Sequence, residues 1–411
     1  MAKRRKTQRV RRAAPHREFS FPLTNVKVVG VGGGGGNAVG RMSRNFTRGV
    51  EFIAINTDHQ DLDYCDVRKK IYIGKNLTRG LGAGMNPELG RQAAEENRSE
   101  IAEAVKGADI VFVAAGLGGG TGSSASTVVA EVAKQQGALT LAFVTTPFAF
   151  EGTQRQRIAE EWMVKLKDKV DALVVVPNDR VFTVISKETP VLKAFEAIDE
   201  IMRNALRGLV ELIIAPGIVN VDFADVRAIM QDAGSAIVGV GIASGPERAV
   251  NAVNLALNSP LLEVKPEGAQ GVLLGISGGR DLRMTEINEA AKLVAQTVDP
   301  GARIIFGAYQ DRSLKPNQIK VTLIATGFSP SNGSSSLFAG SPFLSESKKD
   351  AFSRRTDFGM LEDKETEGED KKAEEPLPRP AFAENLDKSK AGKKTDSDMW
   401  DIPTFLRRRK K

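Results

Sequence analysis

Two kinds of residue in this chain are spaced so that they could do chemistry: glycines gathered in loops and carboxylates set in pairs. The run from Gly30 to Val39 reads Gly-Val-Gly-Gly-Gly-Gly-Gly-Asn-Ala-Val. Gly30, Gly32 and Gly35 satisfy the GxGxxG pattern of a dinucleotide loop, at the junction of an expected strand and helix. A dinucleotide site also wants an acid about 20 residues on to hold the ribose, and Asp58, 28 residues past Gly30, fits loosely. No Gly-Lys-Ser/Thr occurs, so a Walker lysine is absent. Phosphates would have to be held by backbone amides and helix N-termini. A second loop, Gly116-Leu-Gly-Gly-Gly-Thr-Gly122, follows the apolar run 110–115. Gly118, Gly119 and Gly120 let the main chain approach an anion, and Thr121 adds a hydroxyl where a helix should begin. A third stretch, Gly80-Leu-Gly-Ala-Gly84, is expected at another strand–helix connection. Five consecutive glycines, Gly32, Gly33, Gly34, Gly35 and Gly36, exceed what a tight turn needs. The reading is therefore a phosphate site, with the loops converging in the crevice outside the carboxyl ends of parallel strands.

Three acidic constellations accompany these loops. Glu151 and Arg155 stand one helical turn apart, either as a surface pair worth a few tenths of a kcal/mol or as part of a site. Phe195 and Asp199 share a helix face at i, i+4, so a ring could stack on a base while a carboxylate accepts hydrogen bonds from its edge. Asn220-Val-Asp222-Phe-Ala-Asp225 places Asp222 and Asp225 as N-cap and N3 of a helix, a pattern compatible with a catalytic role as well.

Composition removes most other chemistries. The 411 residues contain one cysteine, Cys65, which excludes an intrachain disulfide and a thiolate zinc cage, and only two histidines, His16 and His59. Glycine, at 40 residues, is about 10% against a usual ~7%. No apolar run approaches the ~18 residues of a membrane helix, and the basic start lacks the apolar core of a secretory signal, so an intracellular protein is expected. Residues 1–25 hold eight Lys and Arg against Glu18, which equals the whole formal net charge of +7. This arm is expected to be a disordered, solvated segment, with nucleic acid or anionic lipid as the other partners its charge could meet.

The elements that must position these groups follow from periodicity. Runs 26–31, 52–55, 110–114, 139–144 and 172–176 are short, β-branched and bounded by turn residues, with helix-length stretches such as 87–105 and 152–167 between them. Such alternation predicts a parallel sheet covered on both faces. Residues 191–207 form a long helix with a buried stripe that includes Phe195, Ile198, Met202 and Leu206. A second alternating region has strands near 236–242, 272–276, 304–306 and 319–325 and helices near 246–257 and 285–297. Two α/β subdomains joined by the long helix are expected. Residues 331–395 carry 25 charged residues and no Val, Ile, Trp or Tyr, so a disordered linker is expected. The final segment, 396–411, gathers Trp400, Ile402, Phe405 and Leu406 between acids and five bases and reads as a docking peptide.

Taken in order, residues 32–37, Gly118-Gly-Gly-Thr-Gly122, Pro147-Phe-Ala-Phe-Glu-Gly152, Pro177-Asn-Asp-Arg180, the 220–225 motif and Asp401-Ile-Pro-Thr-Phe-Leu406 resemble the FtsZ family, the bacterial tubulin homologues that act as cell-division GTPases. The resemblance covers about residues 25–330 and the final peptide. It departs at Ser123-Ser-Ala-Ser126, where the family has Thr-Gly-Ala-Ala-Pro, and at Gly40, where Asn is usual. It implies a tubulin/FtsZ-like α/β fold: a Rossmann-like parallel-sheet GTP-binding domain at 26–189, a central helix at 190–210, and a second α/β domain at 211–330 carrying the catalytic loop. It also implies GTP and GDP as ligands, with Mg2+ held mainly by the phosphates. Gly32 to Gly36, Asn37, Gly119, Gly120, Thr121 and Gly122 would surround the phosphates and base, with Glu151 on the ribose and Arg155 nearby. Asn178 joins the nucleotide set, Phe195 would stack on guanine, and Asp199 would accept both of its donors. Asp222 and Asp225, supported by Asn220, would polarise water at the GTP of the next subunit in a head-to-tail filament. The 396–411 peptide would bind membrane-anchoring and regulatory division proteins at mid-cell. Rival readings are a nicotinamide-dependent dehydrogenase, a GTP-binding scaffold without hydrolysis, and a plasmid-segregation or shape-controlling tubulin relative; the terminal peptide favours division.

Overall fold

The computed structural model describes residues 24–44, 46, 49–183, 185–186, 188–214, 217–259, 266–311 and 314–328. The basic arm up to residue 23, the 331–395 linker and the 396–411 peptide lie outside the described residues.

The strands are β1 (Val26–Val31), β2 (Val50–Asn56), β3 (Lys69–Tyr72), β4 (Ile110–Gly116), β5 (Leu139–Thr146), β6 (Ala172–Pro177), β7 (Gly217–Val219), β8 (Gly234–Ser244), β9 (Gly271–Gly278), β10 (Arg303–Gln310) and β11 (Gln318–Thr326). They lie in one sheet in the order β3-β2-β1-β4-β5-β6-β8-β11-β9-β10-β7. The first six run parallel, as crossover helices require. Beyond them β11 is antiparallel to both β8 and β9, while β10 is parallel to β9 and antiparallel to the short edge strand β7. Within the sheet the two halves join where β6 pairs with β8, at Ala172–Gly234, Leu173–Ser235 and Val174–Ala236.

The helices are α1 (Gly32–Ser43), α2 (His59–Tyr64), α3 (Lys75–Thr78), α4 (Pro87–Glu96), α5 (Arg98–Val105), α6 (Gly120–Gln135), α7 (Thr153–Lys167), α8 (Val191–Ile214), α9 (Phe223–Met230), α10 (Arg248–Leu257) and α11 (Met284–Thr297). The stretch expected as one helix over 87–105 is two. It breaks at Asn97, which leaves the helical region and accepts a hydrogen bond from the Gly74 amide at 3.0 Å through Oδ1. None of the helices is long and apolar enough to cross a membrane.

Alternation along the central strands sorts side chains onto two faces. Val28 and Phe112 join the layer packed on α8, whereas Val29, Val111 and Val113 join the layer under α4, α5 and α6. Both layers are buried and apolar, so these strands read as continuous apolar runs. Helix α8 reaches Ile214, two turns past its expected end. Met202, Ala205, Leu206, Leu209 and Val210 form its buried stripe and share a cluster with Val174 of the first half and Leu273 and Ile324 of the second. Its polar exception is Glu211. Lys320 Nζ on β11 donates to Glu211 at 2.9 Å and to Asp311 at 2.8 Å, all three being buried. Together these groups bind the central helix to the second half of the sheet.

Candidate functional site

The first βα turn is built by close approach. A Cβ on Gly35 would lie 2.2 Å from the Ala114 carbonyl oxygen, so α1 packs on β4 only because that position has no side chain. Gly32 takes φ +69°, the left-handed region, and faces the Gly122 amide. These two glycines bring the first turns of α1 and α6 side by side. Neither first turn carries an acid, and α6 begins at Gly120 with no side-chain cap. Two helices of twelve and sixteen residues therefore aim unneutralised positive ends at one cleft.

The lining of that cleft, of about 410 Å³, includes twelve residues expected from the sequence, Gly33, Gly34, Asn37, Gly119, Gly120, Thr121, Gly122, Glu151, Arg155, Asn178, Phe195 and Asp199, together with others such as Arg41, Thr145 and Met202. Gly32, Gly35 and Gly36 do not line it. Gly32 and Gly35 serve the packing just described, and the Gly36 carbonyl accepts from Cys65 Sγ at 3.1 Å. Of the third glycine stretch only Gly84 reaches the cleft. That stretch connects two helices, α3 and α4, and buttresses the second loop from behind: the Gly120 amide donates to the Gly84 carbonyl at 2.6 Å. Gly120 thus supplies proximity, and its own amide is already engaged.

Hydroxyls hold the second loop in shape. Ser123 Oγ accepts from the Gly118 amide at 2.8 Å, and Thr121 Oγ1 shares a 2.6 Å hydrogen bond with Thr57 Oγ1 at the end of β2. The departure at Ser123 thus keeps a hydroxyl where the loop uses one. Glu151 both pairs with Arg155, whose Nη1 donates at 2.6 Å, and lines the cleft, so the surface-pair and site readings hold together. Its other oxygen accepts from the Phe148 amide at 3.0 Å. Phe195 is half exposed, and its ring stands nearly perpendicular to that of Phe148, with centroids 5.7 Å apart.

Asp199 carries the clearest electrostatic signal. Its side chain is 16% exposed, and burial pushes its carboxyl up to about 6 against the pull of Arg41. Arg41 Nη2 pairs with Asp199 Oδ2, a contact that favours the charged carboxylate against its burial. Asn178 Oδ1 is buried without a hydrogen-bond partner on the same cleft. A buried acceptor left open costs free energy unless a ligand fills it. The site therefore offers helix ends and amides suited to anionic oxygens, and acceptors suited to a base edge. Arg41 was missed from the sequence because its partner is 158 positions away. A second cleft of about 300 Å³, between β6, β8 and α8, is lined mainly by Val and Ile and lacks a charged group.

Asn220, Asp222 and Asp225 are absent from the cleft wall. Asp222 takes the N-cap backbone of α9 without making a side-chain cap, and both aspartates are exposed. Asn220 Oδ1 accepts from the Gly217 amide at 2.7 Å and so shapes the turn before α9. Among the described residues no group of three or more His, Cys, Asp or Glu could hold a metal ion.

Comparison with known proteins agrees with this architecture. Residues 25–186 match the Tubulin/FtsZ family GTPase domain, and residues 234–329 match the FtsZ family C-terminal domain. An FtsZ dimer from M. jannaschii is 46% identical, with TM-score 0.70, over 74% of this chain and 88% of that one. A mutant FtsZ from M. jannaschii gives 45% identity and TM-score 0.71 over 74% and 92%. CetZ2 from Haloferax volcanii shares the fold at 23% identity and TM-score 0.65, over 77% and 96%. With both domain matches in sequence order and the cleft between the ends of α1, α6 and α8 in place, the chain belongs to the Tubulin/FtsZ family.

Proposed function

We propose that this protein binds GTP in the cleft, polymerises head-to-tail, and hydrolyses GTP at the contact between successive subunits. The observation that carries the reading is the division of labour within the cleft. Two unneutralised helix ends face one part of it, while Phe195, the Asp199 carboxylate and the open acceptor of Asn178 face another. Guanine presents an N1–H and an exocyclic amino group to one edge, which an ionised Asp199 can accept together; adenine has no such pair of donors. Glu151 would hold the ribose and Arg155 would stand beside it. The cleft carboxylates already face arginines, so the donor set fits a Mg2+ carried by the phosphates. Bound there, the ion would offset phosphate charge during transfer.

Among the described residues that line the chain's own cleft the carboxylates are Glu151 and Asp199, each paired with an arginine, and Asp61, beside Gly33, lies outside that lining. Asp222 and Asp225 are exposed on the second half, free to meet the cleft of a neighbouring copy. There they would orient and polarise the attacking water, with Asn220 holding the loop. A contact of this kind joins unlike faces and generates open filaments. That an FtsZ relative forms a dimer supports self-association. By the same family membership we assign the filament to the division site beneath the membrane, with 396–411 as the segment that recruits membrane-anchoring and regulatory division proteins.

Light scattering and phosphate release, followed with GTP, GDP and no nucleotide, test the proposal. Scattering should rise with GTP alone and decay as phosphate accumulates. Turnover without assembly, or assembly indifferent to nucleotide, would sink it.

A further inference from the structure

The charged groups around the cleft are not equivalent. Arg155 is engaged with Glu151 one turn back on its own side of the cleft, and Arg203, further along α8, is paired with Glu200. Arg41 reaches across from the last turn of α1 to Asp199 on α8 and is itself 44% exposed. The charged groups facing Asp199 are thus Arg41 from α1 and Glu196 and Arg203 from α8. Arg203 favours the carboxylate and Glu196 opposes it, so Arg41 decides the balance.

Resting on the guanine reading above, we infer that Arg41 is a positioning residue for base recognition: it is the counter-ion that keeps the Asp199 carboxylate an acceptor for both guanine donors. A neutral carboxylic acid has one O–H and one free acceptor, so it would turn a donor toward a donor. Burial alone drives Asp199 toward that neutral form, and a cation at ion-pair distance restores the charged one. The contact runs through Asp199 Oδ2. A carboxylate oxygen has more than one lone pair, so Oδ2 can take a guanine donor while it keeps Arg41. Because α1 also carries Gly33 and Gly34, one helix serves both the phosphate and the base parts of the cleft.

The test is the affinity for GDP, which carries the same base and is not turned over, measured by calorimetry from pH 5.5 to 9 on the full chain. Wild type should be nearly flat above neutrality and weaken below about pH 6. In Arg41→Gln the weakening should begin at least about one pH unit higher. The ratio of affinities at pH 8.5 and 6.5 would then reach at least about fourfold, against less than about twofold in wild type. Arg41→Lys should restore the wild-type profile. Superimposable profiles for wild type and Arg41→Gln would overturn the proposal, as would Arg41→Lys following Arg41→Gln. A pH-independent loss in Arg41→Gln would also overturn it, because that marks a direct contact. Asp199→Asn separates the two levels. If it binds GDP as tightly as wild type, or if wild type binds no guanine nucleotide at any pH, the guanine reading itself fails.

Discussion

Adjacent glycines in the first loop should respond to the same substitution with opposite signs. A Cβ at Gly35 would stand 2.2 Å from the Ala114 carbonyl oxygen, more than 1 Å inside ordinary contact, whereas one at Gly36 would meet nothing within 4 Å. Gly35→Ala must therefore push α1 away from β4 by about 1 Å. Overpacking of this kind costs about 1–3 kcal/mol, and the better helix propensity of Ala returns at most about 1 kcal/mol. A net loss near 2 kcal/mol corresponds to a melting temperature lower by about 4–8 °C, on the scale of domains of roughly this size. The displaced turn carries Gly33 and Gly34, so GTP affinity should fall at least about tenfold. Gly36→Ala gains the propensity without the clash and should melt about 1–3 °C higher. Differential scanning calorimetry of both variants, with and without GTP, reads these numbers directly. If Gly35→Ala melted and bound like wild type, the close approach of α1 to β4 would not be what shapes the cleft.

Three further outcomes follow from the same structure. The Asp199 carboxyl, raised to about 6 from a usual 3.8, gives stability that is present below pH 3.8 and lost as pH rises through about 6. Asp199→Asn should then stabilise the nucleotide-free protein at pH 7.5 by up to about 3 kcal/mol, less whatever the Arg41 pairing is worth, with the gain vanishing near pH 4; thermal melts showing a pH-independent difference would refute this. Asp222→Ala and Asp225→Ala should bind GTP but lose turnover, and wild-type activity per subunit should climb steeply with protein concentration; flat specific activity from nanomolar to micromolar protein would contradict a site completed by a neighbour. Lys320→Ala removes the cation that Glu211 and Asp311 share, although Glu211 keeps Arg207, and should cost about 1–3 kcal/mol in urea unfolding; a loss under about 0.5 kcal/mol would mean water already reaches them.

Much of the fold was legible because it rests on local pattern. The β-branched runs of β1, β4 and β5 and the apolar stripe of α8 record burial directly, and the glycine loops record close backbone approach. Less legible were features set by partners distant in sequence. The Arg41–Asp199 pair and the Glu211–Lys320–Asp311 group join residues whose neighbours in the chain carry no trace of the contact. The short edge strand β7 has too few residues to show a period. The break at Asn97 depends on the Gly74 amide arriving from another loop. For the site, glycine identity was visible but not glycine purpose: Gly33 and Gly34 face the cleft, while Gly32 and Gly35 let two helices and a strand touch.

Helix α8 also acts as a ruler. From Asp199, at the cleft, to its last residue, Ile214, it spans about 22 Å at 1.5 Å per residue. Residues 215–222 then carry the chain on to Asp222. In the filament proposed above, a rod that runs from the cleft toward the Asp222 loop would set a minimum to the axial repeat. Adding one helical turn between Met202 and Leu212 would lengthen that repeat by about 5.4 Å, if the sheet beneath could follow. The two ends of the subunit are thereby kept at a fixed gauge by a single element, whose buried stripe leaves it no freedom to slide without repacking both halves at once.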